Sequence, residues 1–269
     1  MQMALFKPGY LKEGKGVDRN APEKNRFFLF FELFFGHLGR LITVNVVYLV
    51  TMLPLFLGLF LSFNFKRWPF AFSGDIVGIA LIIVSIFTSF PMTCGFTYVI
   101  RNMQRREHAW IIRDMFKHAK LNYKKAVING VIQLAAYFLF YVAIIFYAYN
   151  VGGQMGFFCS CIVLVASLVF MWLQFYMNLM IVTFDLKLAH IYKNALIFAI
   201  AKAPLNLLIT VICAALALVC LLYVPVAINV LLLILIYPAL FGFITVYCIY
   251  PTIDKNMISK AGEADNENS

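Results

Sequence analysis

The sequence predicts an all-α, polytopic transmembrane bundle. Six spans form three hairpins, each preceded by an amphipathic helix lying in the cytoplasmic interface. Three observations carry this. Of 269 residues, 63% are hydrophobic and 13% charged, against roughly 45–50% and about 25% in an ordinary soluble domain. Four long stretches contain no Asp, Glu, Lys or Arg. The basic residues fall almost entirely on one side of those stretches. The 28 Phe and 14 Tyr fit the same solvent, because aromatic rings suit both acyl chains and their interfaces.

A charge at the bilayer centre costs about 2.5–3.5 kcal/mol on insertion scales, so uncharged runs mark what can lie inside. They cover residues 41–65, 76–100, 126–184 and 203–253. A hydrocarbon core of about 30 Å takes about 20 helical residues. The first two runs therefore hold one helix each, and the other two must fold back once. In the third run Asn150-Val151-Gly152-Gly153-Gln154 supplies turn formers. In the fourth, Val224-Pro225 is the best break. The predicted spans are about 41–63, 76–100, 126–149, 155–184, 204–224 and 227–250.

Of the 22 Lys and Arg, 20 precede span one, separate spans two and three or four and five, or follow span six. Only Lys66 and Arg67 fall on the opposite side. The positive-inside rule makes the 20-residue side cytoplasmic, which predicts a multi-pass protein of the cell membrane with both termini inside. The net charge of +10 is then explained by orientation and anionic lipid rather than by nucleic acid. Residues 1–26 are polar and basic, which predicts no cleavable signal.

Ahead of each pair of spans stands an amphipathic segment, at about 27–39, 107–123 and 188–202. In the second, Ile112, Met115, Phe116, Ala119 and Tyr123 oppose Arg113, Asp114, Lys117 and Lys124. Aligning Phe34-Phe35-Gly36-His37 with Met115-Phe116-Lys117-His118 and Phe198-Ala199-Ile200-Ala201 suggests a triplicated unit. The alternative is that any amphipathic helix entering a membrane looks alike. Pro54, Pro91 and Pro238 fall within spans, where they kink helices and free carbonyls. A cytoplasmic segment of residues 1–25 and a disordered tail over 254–269 complete the division.

No catalytic constellation, nucleotide-binding loop or metal-ligand set is recognisable, so neither enzyme activity nor a cofactor is expected. The six cysteines all lie in apolar runs and read as small hydrophobes. Two groups of residues remain. On the cytoplasmic loop, Arg101, Arg105, Arg106, Glu107, His108, Trp110, Arg113, Asp114, Lys117, Lys120 and Lys124 form a surface for lipid or for a partner. Within the spans, Asn45, Gln133, Gln174 and Asn178 (with Asn129) either line a polar path or bond between helices.

The chain resembles the YesL-like family of bacterial membrane proteins. The resemblance rests on Gly16-Val17-Asp18 with Pro22 and Lys24, Arg26-Phe27-Phe28, Phe31-Glu32, Asn45 and Pro54. It continues through Gly95, Tyr98-Val99-Ile100-Arg101-Asn102, Arg106-Glu107-His108, Asp114, Phe116, Lys120, Asn122 and Lys124. It is sharpest up to about residue 125; beyond that it rests on hydropathy, with Asp185 and the following helix as anchors. Where the family often has a glycine-proline pair in span two, this chain has Phe90-Pro91 and a separate Gly95. What the resemblance implies is an accessory, non-catalytic subunit associated with the permease or ATPase subunits of a carbohydrate (oligosaccharide) ABC importer. No permease-type Glu-Ala-Ala loop is present. The alternatives are a stand-alone channel or transporter for a neutral solute, and a lipid-interacting scaffold.

Overall fold

A computed structural model describes residues 25–64 and 71–258, with backbone only for residues 63, 64 and 71–75. The predicted N-terminal segment up to residue 24, Lys66, Arg67 and the tail from residue 259 lie outside the described residues. Every described element is helical. They are α1 (Arg26–Gly36), α2 (Leu38–Asn64), α3 (Ala71–Gln104), α4 (Ile111–Leu121), α5 (Tyr123–Phe146), α6 (Gly153–Thr183), α7 (Leu188–Ala201), α8 (Ala203–Tyr223), α9 (Val226–Leu235) and α10 (Tyr237–Ile253).

Five of them, α2, α3, α5, α6 and α8, are long and apolar enough to cross a membrane, and α9 with α10 makes a sixth if counted together. This sixth unit departs from the expected continuous span over 227–250, because the two helices meet at an angle of 57°. Pro238 is the cause. It has no N–H to give the carbonyl of Ile234, and its ring would press on that carbonyl in a continuous helix. Ile236 leaves the helical region instead (φ −147°), and α10 begins with the proline in its first turn. Two further boundaries shift. The second short helix covers only Ile111–Leu121, because residues 105–110 form the non-helical connection after α3 and Asn122 turns the chain into α5. The chain stays helical through a π turn over Asp254–Ile258, where a disordered tail was expected.

The turn expected around residue 152 is present. Gly152 and Gly153 adopt left-handed φ of 59° and 56° between a π turn over Tyr147–Val151 and the start of α6. Glycine alone enters that region without steric penalty.

Each short helix passes into the next long one through a single residue. His37, Asn122 and Lys202 have φ, ψ of −110°, 12°; −101°, 9°; and −110°, 26°. Each donates its N–H four residues back, and its own carbonyl accepts from the residue four ahead, at Leu41, Ala126 and Asn206. The hydrogen-bond ladder thus continues while the axis turns. Those three donor residues are all buried, as are Val44, Asn129 and Ile209 three positions on. The three joints thus share one local geometry, and their register differs from that of the sequence alignment. His37 corresponds to Asn122, not to His118, and to Lys202, not to Ala201.

Helix α3 sits at the centre and touches α2, α4, α5, α6 and α10. Its C-terminal half buries Val99, Ile100 and Met103 against Met115 of α4, Met180 of α6 and Phe243 of α10. At Gly95 the backbone of α4 approaches so closely that a Cβ would collide with the carbonyl of Met115.

Candidate functional site

The basic surface begins where α3 ends. Arg106 N–H donates to the Met103 carbonyl (3.2 Å) and Glu107 N–H to the Asn102 carbonyl (2.9 Å). Arg106 itself has φ of 57°. This is the paired-bond helix terminus that usually places glycine in the left-handed position. Here that position holds an arginine, whose guanidinium reaches Glu32 of α1 at 3.5 Å. Arg105 pairs with Glu107 at 2.7 Å and lies over the Tyr250 ring. Gln104 donates to the Phe243 carbonyl of α10 at 3.0 Å.

Arg101 does not lie on the surface with its neighbours, as the sequence suggested; only 7% of it is exposed. Its Nη1 donates to the Val182 carbonyl (3.0 Å) and the Thr183 hydroxyl (3.1 Å), while Nε and Nη2 share Asn102 Oδ1. Val182 and Thr183 close α6, so the guanidinium satisfies a carbonyl that the helix cannot, at the negative end of its dipole. The Arg101 charge also lies 4.8 Å from the centre of the Tyr98 ring. The Tyr98 ring also stacks on His118, with ring centres 3.3 Å apart. Burial there, with Lys117 and Arg101 nearby, holds His118 below the ordinary histidine range, and Asp114 opposes that shift.

Asp114 is occupied locally: its Oδ2 accepts the Trp110 N–H at 2.8 Å and closes the first turn of α4. His108 and Trp110 meet edge to face at 5.2 Å, with 65% of Trp110 exposed. Arg113, Lys117, Lys120 and Lys124 are exposed, and none has a carboxylate partner among the described residues. Lys125 does, bonding Asp185 at 3.0 Å.

The intramembrane polar residues fall into separate hydrogen-bonded sets. Asn45 is fully buried. It donates to the carbonyls of Leu233 and Ile234 (3.0 and 2.8 Å) and accepts the Ala239 N–H (2.8 Å). One side chain thus caps both ends of the break made by Pro238. Gln174 accepts from Asn129, which in turn accepts from Tyr192 of α7. Gln174 Nε2 is buried without a partner in the described structure. Gln133 and Asn178 are partly exposed. Two further asparagines, not among the predicted polar residues, do similar work. Asn206 donates to the Ala199 carbonyl and accepts from Tyr176, bracing the joint at Lys202. Asn229 donates to the Cys220 and Val224 carbonyls and accepts from Tyr237, bracing the α8–α9 turn. A lone asparagine in an apolar run was the available signal.

Two open grooves flank α9. One, of about 330 Å³, is bounded by Cys220, Asn229, Leu233, Tyr237 and Phe241; the other, of about 250 Å³, by Val50, Leu53, Phe56 and Ile234. Asn45, Gln133, Gln174 and Asn178 line neither.

No curated protein and no solved structure matches the chain. Residues 25–144, from the cap of α1 almost to the end of α5, match the family model DUF624, protein of unknown function, which is the family of YesL-like membrane proteins.

Proposed function

We propose that this chain is a non-catalytic, auxiliary membrane subunit of a carbohydrate ABC importer, with the α3–α4 connection as its cytoplasmic contact for another subunit. The observation that carries the contact is Arg106. A left-handed backbone costs a non-glycine residue about 1–2 kcal/mol. The exposed ion pair with Glu32 returns only about 0–1 kcal/mol. Glycine would end α3 more cheaply, so the guanidinium has a use that folding does not explain. Beside it stand exposed His108 and Trp110, and tryptophan and arginine are the side chains that dominate protein contacts when buried. Below, Arg101, Gln104 and the Arg105–Glu107 pair hold the backbone, so that little ordering entropy is lost on binding.

The choice of a carbohydrate importer as the partner rests on the family resemblance. The cytoplasmic placement of the connection and of both termini rests on the basic residues. Affinity purification in mild detergent tests the assembly: transporter subunits should co-purify with the native chain, and recovery of none would overturn it. Arg106→Gly separates contact from fold. Its thermal midpoint should hold or rise while partner recovery falls about tenfold. An unchanged recovery would remove this connection from the interface.

A further inference from the structure

We propose that the outer face of α4 is a binding surface for anionic phospholipid, separate from the contact at Arg106 and Trp110. At 100° per residue, two stripes run side by side along the exposed half of this helix. One carries Ile112 and Phe116, 56% and 48% exposed, and leads towards exposed Tyr123 at the start of α5. The other carries Arg113, Lys117 and Lys120, followed past the joint by Lys124. Acyl chain and phosphate are the two chemistries that these adjoining stripes take together, and an amphipathic helix in a membrane interface meets both.

The charge pattern selects the anionic headgroup. Glu107 is paired with Arg105 and Asp114 is turned to the Trp110 N–H, so neither acid of the segment pairs with Arg113, Lys117, Lys120 or Lys124, and cations outnumber acids on the outer face. Arg113 and Lys117 lie four residues apart, and Lys117 and Lys120 three, both spacings at which like charges on a helix repel. Lys124 stands in the first turn of α5, where the helix dipole disfavours a cation. Lys125 beside it is relieved by Asp185, whereas Lys124 has no such partner among the described residues. An anionic layer offsets all of these repulsions at once. A neutral zwitterionic surface does not.

The test uses the full-length protein in detergent, titrated with phosphatidylglycerol or phosphatidylcholine and followed by native mass spectrometry of retained lipid. The native chain should prefer phosphatidylglycerol. At about fivefold per charge, Lys117→Gln, Lys120→Gln and Lys124→Gln together should weaken its retention roughly a hundredfold. Phosphatidylcholine retention should not change, and the lipid-free thermal midpoint should hold or rise, because no intramolecular bond is lost and the repulsions among these charges are relieved. Equal retention of the two lipids by the native chain would overturn the proposal, as would an undiminished preference in the triple variant. Glycerol phosphate binding as tightly as the intact lipid would also overturn it, since the apolar stripe would then be idle. Arg106→Gly should leave lipid retention intact, so failure of the subunit contact and failure of this surface are separable.

Discussion

Around the C-terminal half of α3 the chain is packed on every side, whereas α9 has no buried residue at all. Both regions must dispose of backbone groups left over where helices stop. At the α3 end this is done within a dense core, by Arg101 on the last carbonyls of α6 and by the Arg106 terminus. At α9 it is done by two asparagines at the flanks, Asn45 on one break and Asn229 on the other, with open grooves between them. Hydrogen bonding alone can thus fix where a helix bends. It is packing that decides how far the helix can move afterwards. In hydrocarbon no apolar driving force pushes helices together, so a region like α9 is held by its polar clamps, and a region like α3 by shape.

The most severe test of the packed side is Gly95→Leu. The new side chain would start inside the Met115 carbonyl, and backbone cannot rotate away as a side chain can. Separation of α4 from α3 should cost about 3 kcal/mol or more. A collapse of the thermal midpoint in detergent, or loss of the monodisperse peak, is the expected result. A native-like midpoint would mean that α3 and α4 are loosely joined and that the contrast with α9 is false. Next in size is Arg101→Met, which keeps the length but strands the Val182 carbonyl and the Asn102 amide oxygen; a loss of about 2 kcal/mol is expected. Arg101→Lys should rescue little, since one ammonium cannot reach Val182, Thr183 and Asn102 in the same geometry.

Much of this was legible before any coordinates. The uncharged runs located the long helices, and the Gly152-Gly153 turn and the Val224-Pro225 break fall where turn chemistry placed them. Pro238 announced a kink, although nothing local revealed its depth, because the missing donor is replaced by Asn45 from 194 residues away. The same distance hid which groups Asn45 serves: the sequence left it as either a lining residue or a bond between helices, and it is the second, on α9 and α10. Arg101 was misplaced for a similar reason. An arginine at the end of a span ordinarily faces water, and only the α6 terminus, 81 residues on, makes its burial tolerable. The candidate surface was visible as a cluster of cations, but its division was not. Which acids are spent internally, and that Arg106 is left-handed, follow from how α3 stops.

Smaller, and aimed at the other side of the comparison, are Asn45→Ala and Asn229→Ala. Intramembrane hydrogen bonds average about 0.6 kcal/mol each. Asn45 makes three backbone bonds in a fully buried setting, so its loss should cost about 2 kcal/mol. Asn229 has α9 itself beside an open groove, where freed groups can relax, and about 1 kcal/mol is expected. Hydrogen exchange should show the difference: α9 amides lose protection in both variants, while those of α3 keep theirs. Spread of the exchange into α3 would show that the two regions form one cooperative unit.

The mildest perturbation is acid. His118 is pressed against Tyr98, and its pKa is lowered from 6.5 by burial first, then by Lys117 and Arg101, with Asp114 pulling the other way. Above pH 6.5 the ring is neutral whether the chain is folded or not, and the stacked arrangement contributes in full. As the pH falls below that value the unfolded chain takes up the proton first, so stability declines until the folded ring protonates as well. The expected effect is a modest fall in midpoint between pH 7 and 5 that is reduced in His118→Gln. Because α9 carries no titratable side chain, exchange should quicken over Ile111–Leu121 and stay constant over Val226–Leu235. Equal quickening in both would mean that acid acts through the whole bundle rather than through the Tyr98–His118 contact. A midpoint in His118→Gln that still follows the native profile would assign the acid response to the carboxylates around α4.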